Sequence, residues 1–283
     1  MSRINTLDTI RQREQQQFNV VRREQSTGNT CLDIIKIIFP GFHINTVTFR
    51  YAVVCACVFA VMKATQIMRP QTEWPCIEYT FGAKYTYAIS RKYQIWRLIA
   101  PMFIHDTSVQ MFWNMFSLFM VGFMVESLFS ESRYAYIKLL ALGGISGNLA
   151  SANMQPYEMG VGSSGAIFAV FGSFFVYIYI QFEKMDENVT RLAILLGVIF
   201  VFSLVMALLS EQADVYNNLG GLAVGVPFGA LYLKTDQTNI RKIYGLRASA
   251  YSFLLLYFAI LTGLTMLRPL PECDERGCDK VCQ

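Results

Sequence analysis

Seven apolar stretches constrain this chain more than any other feature. They cover residues of about 50–68, 107–129, 134–153, 164–182, 191–210, 215–233 and 249–267. A helix needs roughly 20 apolar residues to cross the hydrocarbon core of a bilayer. Hydrophobic residues make up 54% of the chain and charged residues 16%, and the mean hydropathy is +0.36. Because lipid offers no partners to backbone polar groups, the sequence predicts an all-α polytopic membrane protein with seven spans.

The distribution of basic residues predicts the orientation. They concentrate in the polar N-terminal segment and in the link between spans six and seven, at Arg3, Arg11, Arg13, Arg22, Arg23, Lys36, Lys234, Arg241, Lys242 and Arg247. Short basic segments stay in the cytosol. Loop 69–100 also carries five basic residues, but long loops obey this rule least. We expect a cytosolic N-terminus, a first span that acts as its own signal, and a lumenal or extracellular C-terminus.

Cysteine positions agree with this orientation. The last eleven residues hold three cysteines and loop 69–100 holds one, and all four fall on the oxidising side: Cys76, Cys273, Cys278 and Cys282. Two disulfides are possible there, and a zinc site is the less favoured alternative outside the cytosol. We predict no bound metal and no cofactor. The net charge of +4 gives no indication of nucleic-acid binding.

A small glycine-flanked serine opens the fourth apolar stretch, in Gly162-Ser163-Ser164-Gly165. The Ser164 hydroxyl would lie at a helix N-terminus, where unpaired N–H groups and the helix dipole favour negative charge. That position suits a serine nucleophile, because the same N–H groups can stabilise an oxyanion. The alternative is a glycine-rich helix start in a packed bundle, and the tetrapeptide alone favours this alternative.

Polar residues also line one face of span two. Residues at a spacing of four are Gln110, Asn114, Leu118, Gly122 and Glu126. Polar side chains in a membrane helix must face the bundle interior. Gln110 and Asn114 are candidate hydrogen-bond donors near a reaction centre at the lumenal end, and interhelical hydrogen bonding is the alternative. Glu126 lies over three turns away and is structural in either case.

Small residues predict a close contact between spans four and six. Gly172 follows Ser164 and Phe168 on one face of span four, while Gly221, Gly225 and Gly229 form a ladder on span six. Such ladders allow helix backbones to approach closely. This contact would bring Asn218 near Ser164.

These motifs occur together in an order that resembles the rhomboid family of intramembrane serine proteases. The match runs from about residue 94 to 233 and includes Trp96-Arg97, Asn114, the Gly122/Glu126 spacing, Gly-x-Ser-Gly at 162–165 and Asn218-Leu219-Gly220-Gly221-x-x-x-Gly225. The seventh span and the cysteine-bearing tail resemble the eukaryotic secretory-pathway branch of that family. The resemblance implies a location in that pathway or the plasma membrane. The sequence then divides into a cytosolic polar tail and interfacial segment at 1–45, a rhomboid-type six-helix core at 46–235, and a seventh helix with a cysteine-containing lumenal tail at 236–283. Within the core, the aromatic-rich lumenal loop at 69–100 is expected to lie in the membrane interface.

The resemblance also implies roles for individual residues. Ser164 would be the nucleophile, and its N–H and the Asn114 side chain would bind the oxyanion, while Trp96 and Arg97 would be structural. Gln110 replaces a histidine that the family typically places on the oxyanion side, and an amide is a tolerable donor there. Asn218 stands where the family has its general-base histidine. An amide has no useful basicity near neutral pH, so it cannot take the serine proton.

These residues are compatible with two functions and disfavour a third. The first is a rhomboid-fold pseudoprotease that binds transmembrane segments of client proteins in the bilayer without cleaving them. The alternative is an active intramembrane serine endopeptidase that uses Ser164. A channel or transporter is disfavoured, because the sequence shows neither a chain of charged intramembrane residues nor a repeated half.

Overall fold

The computed structural model describes residues 34–36, 38–39, 41–129, 133–181, 187–209, 214–232 and 240–269. The start of the polar tail and three of the four cysteines in the disulfide prediction (Cys273, Cys278 and Cys282) lie outside these residues. Cys76 is buried in the loop between the first two long helices. The disulfides therefore stay a prediction. Within the described residues, no group of three or more His, Cys, Asp or Glu side chains is placed to hold a metal ion.

The described chain is helical, which confirms the predicted fold class. The long helices are α1 (Val47–Met68), α4 (Ser108–Leu128), α5 (Arg133–Met154), α6 (Ser164–Gln181), α7 (Glu187–Leu209), α8 (Val215–Tyr232) and α9 (Ile240–Leu267). Two short helices, α2 (Trp74–Phe81) and α3 (Thr86–Arg91), and two 3-10 turns, Ile95–Leu98 and Ala100–Phe103, lie between α1 and α4. In the part of the chain that the structure describes, β pairing is confined to an isolated bridge between Lys84 and Gly160.

The seven long helices coincide with the seven apolar stretches of the sequence. By length and composition, α1, α4 and Tyr244–Leu267 of α9 can each cross a membrane, while α6 and α7 carry the shorter apolar segments Ser164–Ile180 and Ala193–Val205. Exposed apolar side chains on α7 and α9 fit contact with lipid; they include Ile194, Val198, Leu255 and Leu256. The chain is thus a multi-pass membrane protein, and seven crossings remain the prediction for its topology.

Glu126 holds the start of α1 against the end of α4. Its carboxylate accepts hydrogen bonds from the backbone N–H of Val47 (2.7 Å) and Thr48 (2.9 Å) and from the Thr48 hydroxyl (2.8 Å). Thr46 completes the cap by accepting from the N–H of Phe49. A carboxylate at a helix N-terminus satisfies free N–H groups and complements the helix dipole. Glu126 is therefore a helix-capping residue, at the opposite end of α4 from Gln110.

Arg97 organises the loop between α1 and α4. Its guanidinium is 5% exposed, donates to the carbonyls of Tyr79 (2.9 Å) and Ala83 (3.0 Å), and binds Gln94 Oε1 at 2.6 Å. It also lies 4.0 Å from the centre of the Tyr79 ring. Burying a charge is costly unless its donors are satisfied, and this loop supplies the acceptors. Trp96, in contrast, is 54% exposed. The loop is a folded element held around one arginine.

Helices α5, α6 and α8 form the centre of the bundle. Their facing sides bury apolar residues, among them Leu139, Ala169, Val170, Phe171, Phe174 and Phe228. Helix α9 packs outside them and is attached by polar bonds, since Asn153 of α5 donates to Thr265 Oγ1 (2.8 Å) and to the Leu261 carbonyl (3.1 Å). Inside a membrane such bonds add to van der Waals packing in holding helices together.

Candidate active site

A short extended strap, residues 160–163, delivers Ser164 to the start of α6. Gly160 pairs with Lys84 through two backbone hydrogen bonds (2.8 and 3.1 Å), and the Gly162 N–H donates to the Pro101 carbonyl at 2.9 Å. Gly162 has φ +130°, a conformation that L side chains rarely adopt. The strap therefore makes a sharp turn into α6. Ser164 is half-buried and is the first residue of that helix.

Gln110 and Asn114 of α4 lie beside this strap. A Cβ atom on Gly162 would be 3.3 Å from Gln110 Nε2 and 3.7 Å from Asn114 Nδ2. Gln110 is engaged, because its Nε2 donates to the Val161 carbonyl at 3.3 Å. Asn114 Nδ2 is buried and has no hydrogen-bond partner among the described residues. The two predicted donors are thus brought together, and Asn114 is the one whose N–H groups are available.

The glycine ladder brings α8 against α6 directly beside Ser164. A side chain on Gly221 would collide with the Gly165 carbonyl, and one on Gly225 with the backbone of Ala169. The same helix pair touches further along: a Cβ on Gly172 would be 2.9 Å from the Val226 nitrogen, and one on Gly229 would be 2.9 Å from the Ser173 Cα. The two backbones are therefore in contact over about two turns.

This contact places Asn218 near the beginning of α6. Asn218 precedes Gly221 by one helical turn, and Gly221 meets Gly165, the residue after Ser164. Asn218 is 3% exposed, and its Oδ1 has no hydrogen-bond partner within the described chain. The site at this end of the bundle thus combines a serine hydroxyl, a free amide donor on Asn114 and a free amide acceptor on Asn218.

The neighbouring Asn217 fills the junction of three helices, a role that sequence reasoning missed. Its Oδ1 lies where a side chain on Gly147 of α5 or on Gly165 of α6 would be. Its Nδ2 donates to Asn148 Oδ1 at 3.3 Å, and Asn148 in turn donates to the Leu98 carbonyl at 2.9 Å. The signal in the sequence is the pair Gly147 on α5 and Gly165 on α6, two glycines that leave room for the Asn217 side chain.

His105 lies close to the site but is engaged with the neighbour of Ser164. Its imidazole is fully buried, and Nε2 lies 3.2 Å from the Ser163 hydroxyl oxygen. Burial lowers the pKa of His105 to about 4, although the Phe103 backbone acts in the opposite direction. The ring is therefore neutral at neutral pH and holds the segment before α4 against the strap.

Residues 92–235, just over half of the chain, match the rhomboid domain family. The chain belongs to the rhomboid family. This rhomboid is 25% identical to Rhomboid-like protease 1 of Toxoplasma gondii over 276 residues, which cover 90% of this chain and 92% of that protein. It is 30% identical to Rhomboid-like protease 3 of the same organism over 156 residues, covering 54% of this chain and 57% of that one. A third similarity, 32% over 145 residues, is to Rhomboid protease GluP of Bacillus subtilis; it covers 51% of this chain and 27% of that protein.

A buried carboxyl group lies in the loop between α1 and α4 of this rhomboid. Glu78 of α2 is 7% exposed and accepts a hydrogen bond from Trp74 Nε1 at 3.1 Å. Burial raises the pKa of Glu78 to about 7, the negative charge of Asp106 adds to this rise, and Lys63 opposes it. Helix α2 is thus linked to the segment before α4 through a carboxyl group whose pKa lies near 7.

The raised pKa of Glu78 predicts a pH dependence of stability. The folded protein holds a proton that the unfolded chain releases above its ordinary pKa of 4.5. The stabilisation is therefore fully present below that value and is lost as the pH rises through about 7. Thermal unfolding in detergent between about pH 5 and pH 8 should show this loss, and Glu78→Gln should flatten it. Glu73→Gln, an exposed position at the start of α2, is the matched control. An unchanged slope in Glu78→Gln would contradict the assignment.

Proposed function

We propose that this rhomboid is a catalytically impaired pseudoprotease that binds transmembrane segments of client proteins. The observation that carries the proposal is Asn218, a buried amide one helical turn before Gly221, the residue of α8 that meets Gly165. We infer that serine chemistry at Ser164 would need its base at this position. An amide nitrogen has no basicity near neutral pH, and an amide oxygen accepts a hydrogen bond without taking the proton. The Ser164 hydroxyl therefore stays protonated and is a weak nucleophile.

Neither histidine of the chain replaces the missing base. His105 is hydrogen-bonded to Ser163, and its lowered pKa makes it a poor proton acceptor. His43 precedes α1, at the Glu126 end of the bundle, and accepts from the Asn45 N–H at 3.1 Å. The sequence contains only these two histidines. The proton of Ser164 thus has no histidine to receive it.

The remaining site has the hydrogen-bonding character of a peptide receptor. Asn114 offers a donor and Asn218 an acceptor, both buried and without partners among the described residues. Leaving such a group unpaired costs about 1–3 kcal/mol, which a bound ligand recovers when it pairs with the group. A peptide group supplies the complementary C=O and N–H. An intact helix uses both internally, so the site favours client segments whose helix is locally broken.

The binding of transmembrane peptides in nanodiscs tests this proposal. A dye-labelled peptide with a central Gly-Pro break should bind saturably, and a matched peptide with an unbroken helix should bind about tenfold more weakly or worse. Asn114→Leu should weaken binding of the broken peptide by a similar factor, because it removes the free donor. Asn45→Leu changes the same residue type at an exposed position at the other end of the bundle and should have no effect. Equal affinity for both peptides would contradict the proposal.

The second candidate is an active intramembrane serine endopeptidase. Two observations favour it: the free Asn114 donor lies beside the strap that leads to Ser164, and the similar proteins from Toxoplasma gondii and Bacillus subtilis are named as proteases. In this case another group would have to move the serine proton. Cleavage of the broken peptide by the natural protein, abolished by Ser164→Ala, would favour this candidate.

A further inference from the structure

Lys84 lies where the loop before α3 meets two other segments of the lumenal end. Its side chain is 1% exposed, and Nζ donates to Ser151 Oγ at 2.8 Å and to the Gln155 carbonyl at 3.2 Å. The Ser151 hydroxyl donates onward to the Asp214 carboxylate. The main chain of Lys84 meanwhile pairs with Gly160 in both directions. A single residue thus connects the loop, the end of α5, the strap and the start of α8.

Asp214 carries this connection into the first turn of α8. Its Oδ1 accepts from the Asn217 N–H at 2.9 Å, and its backbone carbonyl accepts from the Asn218 N–H at 3.3 Å. An aspartate in this position satisfies N–H groups that have no partner within the helix. Asp214 therefore determines where the first turn of α8, with Asn218 in it, begins.

The backbone of Lys84 supports the strap that leads to Ser164. Gly160, its bridge partner, is four residues before Ser164, and the intervening strap is held by Pro101 and Gln110. A Cβ on Gly160 would lie 2.9 Å from Lys84 Cε and 3.3 Å from Asp214 Oδ2. The lysine stem and the aspartate thus both pack on the strap at the point where it departs toward Ser164.

The positive charge of Lys84 and the negative charge of Asp214 also act on each other. Burial lowers the pKa of Lys84, while the negative charges of Asp214 and Glu158 raise it. A buried ammonium is costly unless its donors are satisfied, and Ser151 and the Gln155 carbonyl satisfy those of Lys84, with Ser151 passing the connection on to Asp214. The position of Asp214, and of the α8 turn that it caps, is therefore coupled to the charge of Lys84.

We propose that Lys84 is a positioning residue of the site: through Ser151 and Asp214 its side chain sets the first turn of α8 against the strap that carries Ser164. The proposal rests on the proposed site at Ser164 and Asn218. Lys84 would not be a catalytic residue, because it touches neither Ser164 nor Asn218. It would act on the distance between them.

Hydrogen exchange of the full-length protein in nanodiscs tests this role without requiring any activity. Lys84→Met should raise exchange about tenfold or more in peptides that cover 214–220 and 160–164, while peptides from 244–267 exchange as before. Lys84→Arg should preserve protection, because it keeps the charge. Lys92→Met removes a positive charge from an exposed position of the same loop and should change nothing. Exchange that is unchanged at 214–220, or raised equally throughout the protein, would overturn the proposal.

Ser151→Ala is the second test variant, and it applies even if Lys84→Met does not fold. It removes only the connecting hydroxyl and should raise exchange in the same two segments; if it does not, Lys84 does not act through Ser151. In the Asn218→His background, Lys84→Met should lower kcat more than it raises KM, because it displaces catalytic groups relative to each other. Absence of cleavage in Asn218→His alone would count against the proposed function of the site. The exchange result would still decide the role of Lys84.

Discussion

Gly221→Ala is expected to lower the free energy of unfolding by about 3 kcal/mol. Its new methyl group would collide with the Gly165 carbonyl, which belongs to the backbone of α6 and cannot move aside as a flexible side chain can. Helices α6 and α8 must separate to accommodate the methyl group. This separation also loses the packing at the other glycines of the ladder. Thermal unfolding of the purified protein in detergent measures the change.

Gly263→Ala is the matched control for this prediction. It makes the same substitution within a long apolar helix, but no atom lies within 4 Å of the added Cβ. Alanine favours a helix over glycine by about 1 kcal/mol, so this variant should be as stable as the natural protein or slightly more stable. An equal loss of stability in both variants would show that helix flexibility, not the contact between α6 and α8, determines the effect.

The sequence predicted the parts of this fold that depend on local pattern. The long helices follow from apolar stretches of sufficient length, and the contact between α6 and α8 follows from glycines at a spacing of four. The grouping of Gln110 and Asn114 near the Ser164 strap follows from their common face on one helix. Each of these inferences needs only the geometry of a helix and the cost of polar groups in lipid.

The sequence did not predict contacts between residues far apart in the chain. In the sequence, Lys84 is one of five basic residues in a long loop. In the structure it is buried and hydrogen-bonded to Ser151, which is 67 residues away in the chain. Ser151 and Asp214 are separated by 63 residues, and no periodic pattern connects them. Asn217 has no distinguishing pattern in the sequence, because its place between α5 and α6 depends on the packing of three helices. Such contacts are set by tertiary structure, which local spacing does not encode.

Asn218→His is expected to raise peptide-bond cleavage by about a thousandfold or more. In serine proteases the loss of the base costs roughly 10⁴- to 10⁶-fold in turnover, so its restoration should recover much of this factor if the rest of the site is in place. The backbone contact between Gly221 and Gly165 holds residue 218 near the start of α6, and Asn114 provides a free donor for the oxyanion. An imidazole at residue 218 would supply the proton transfer that an amide cannot.

Cleavage of a helix-broken transmembrane substrate in proteoliposomes tests the central claim, that Asn218 alone disarms a rhomboid site. The comparison requires the natural protein, Asn218→His, Ser164→Ala and the double variant Ser164→Ala/Asn218→His. The account predicts that only Asn218→His cleaves the substrate. Cleavage by the natural protein that is lost in Ser164→Ala would contradict it, and so would a folded Asn218→His variant that does not cleave.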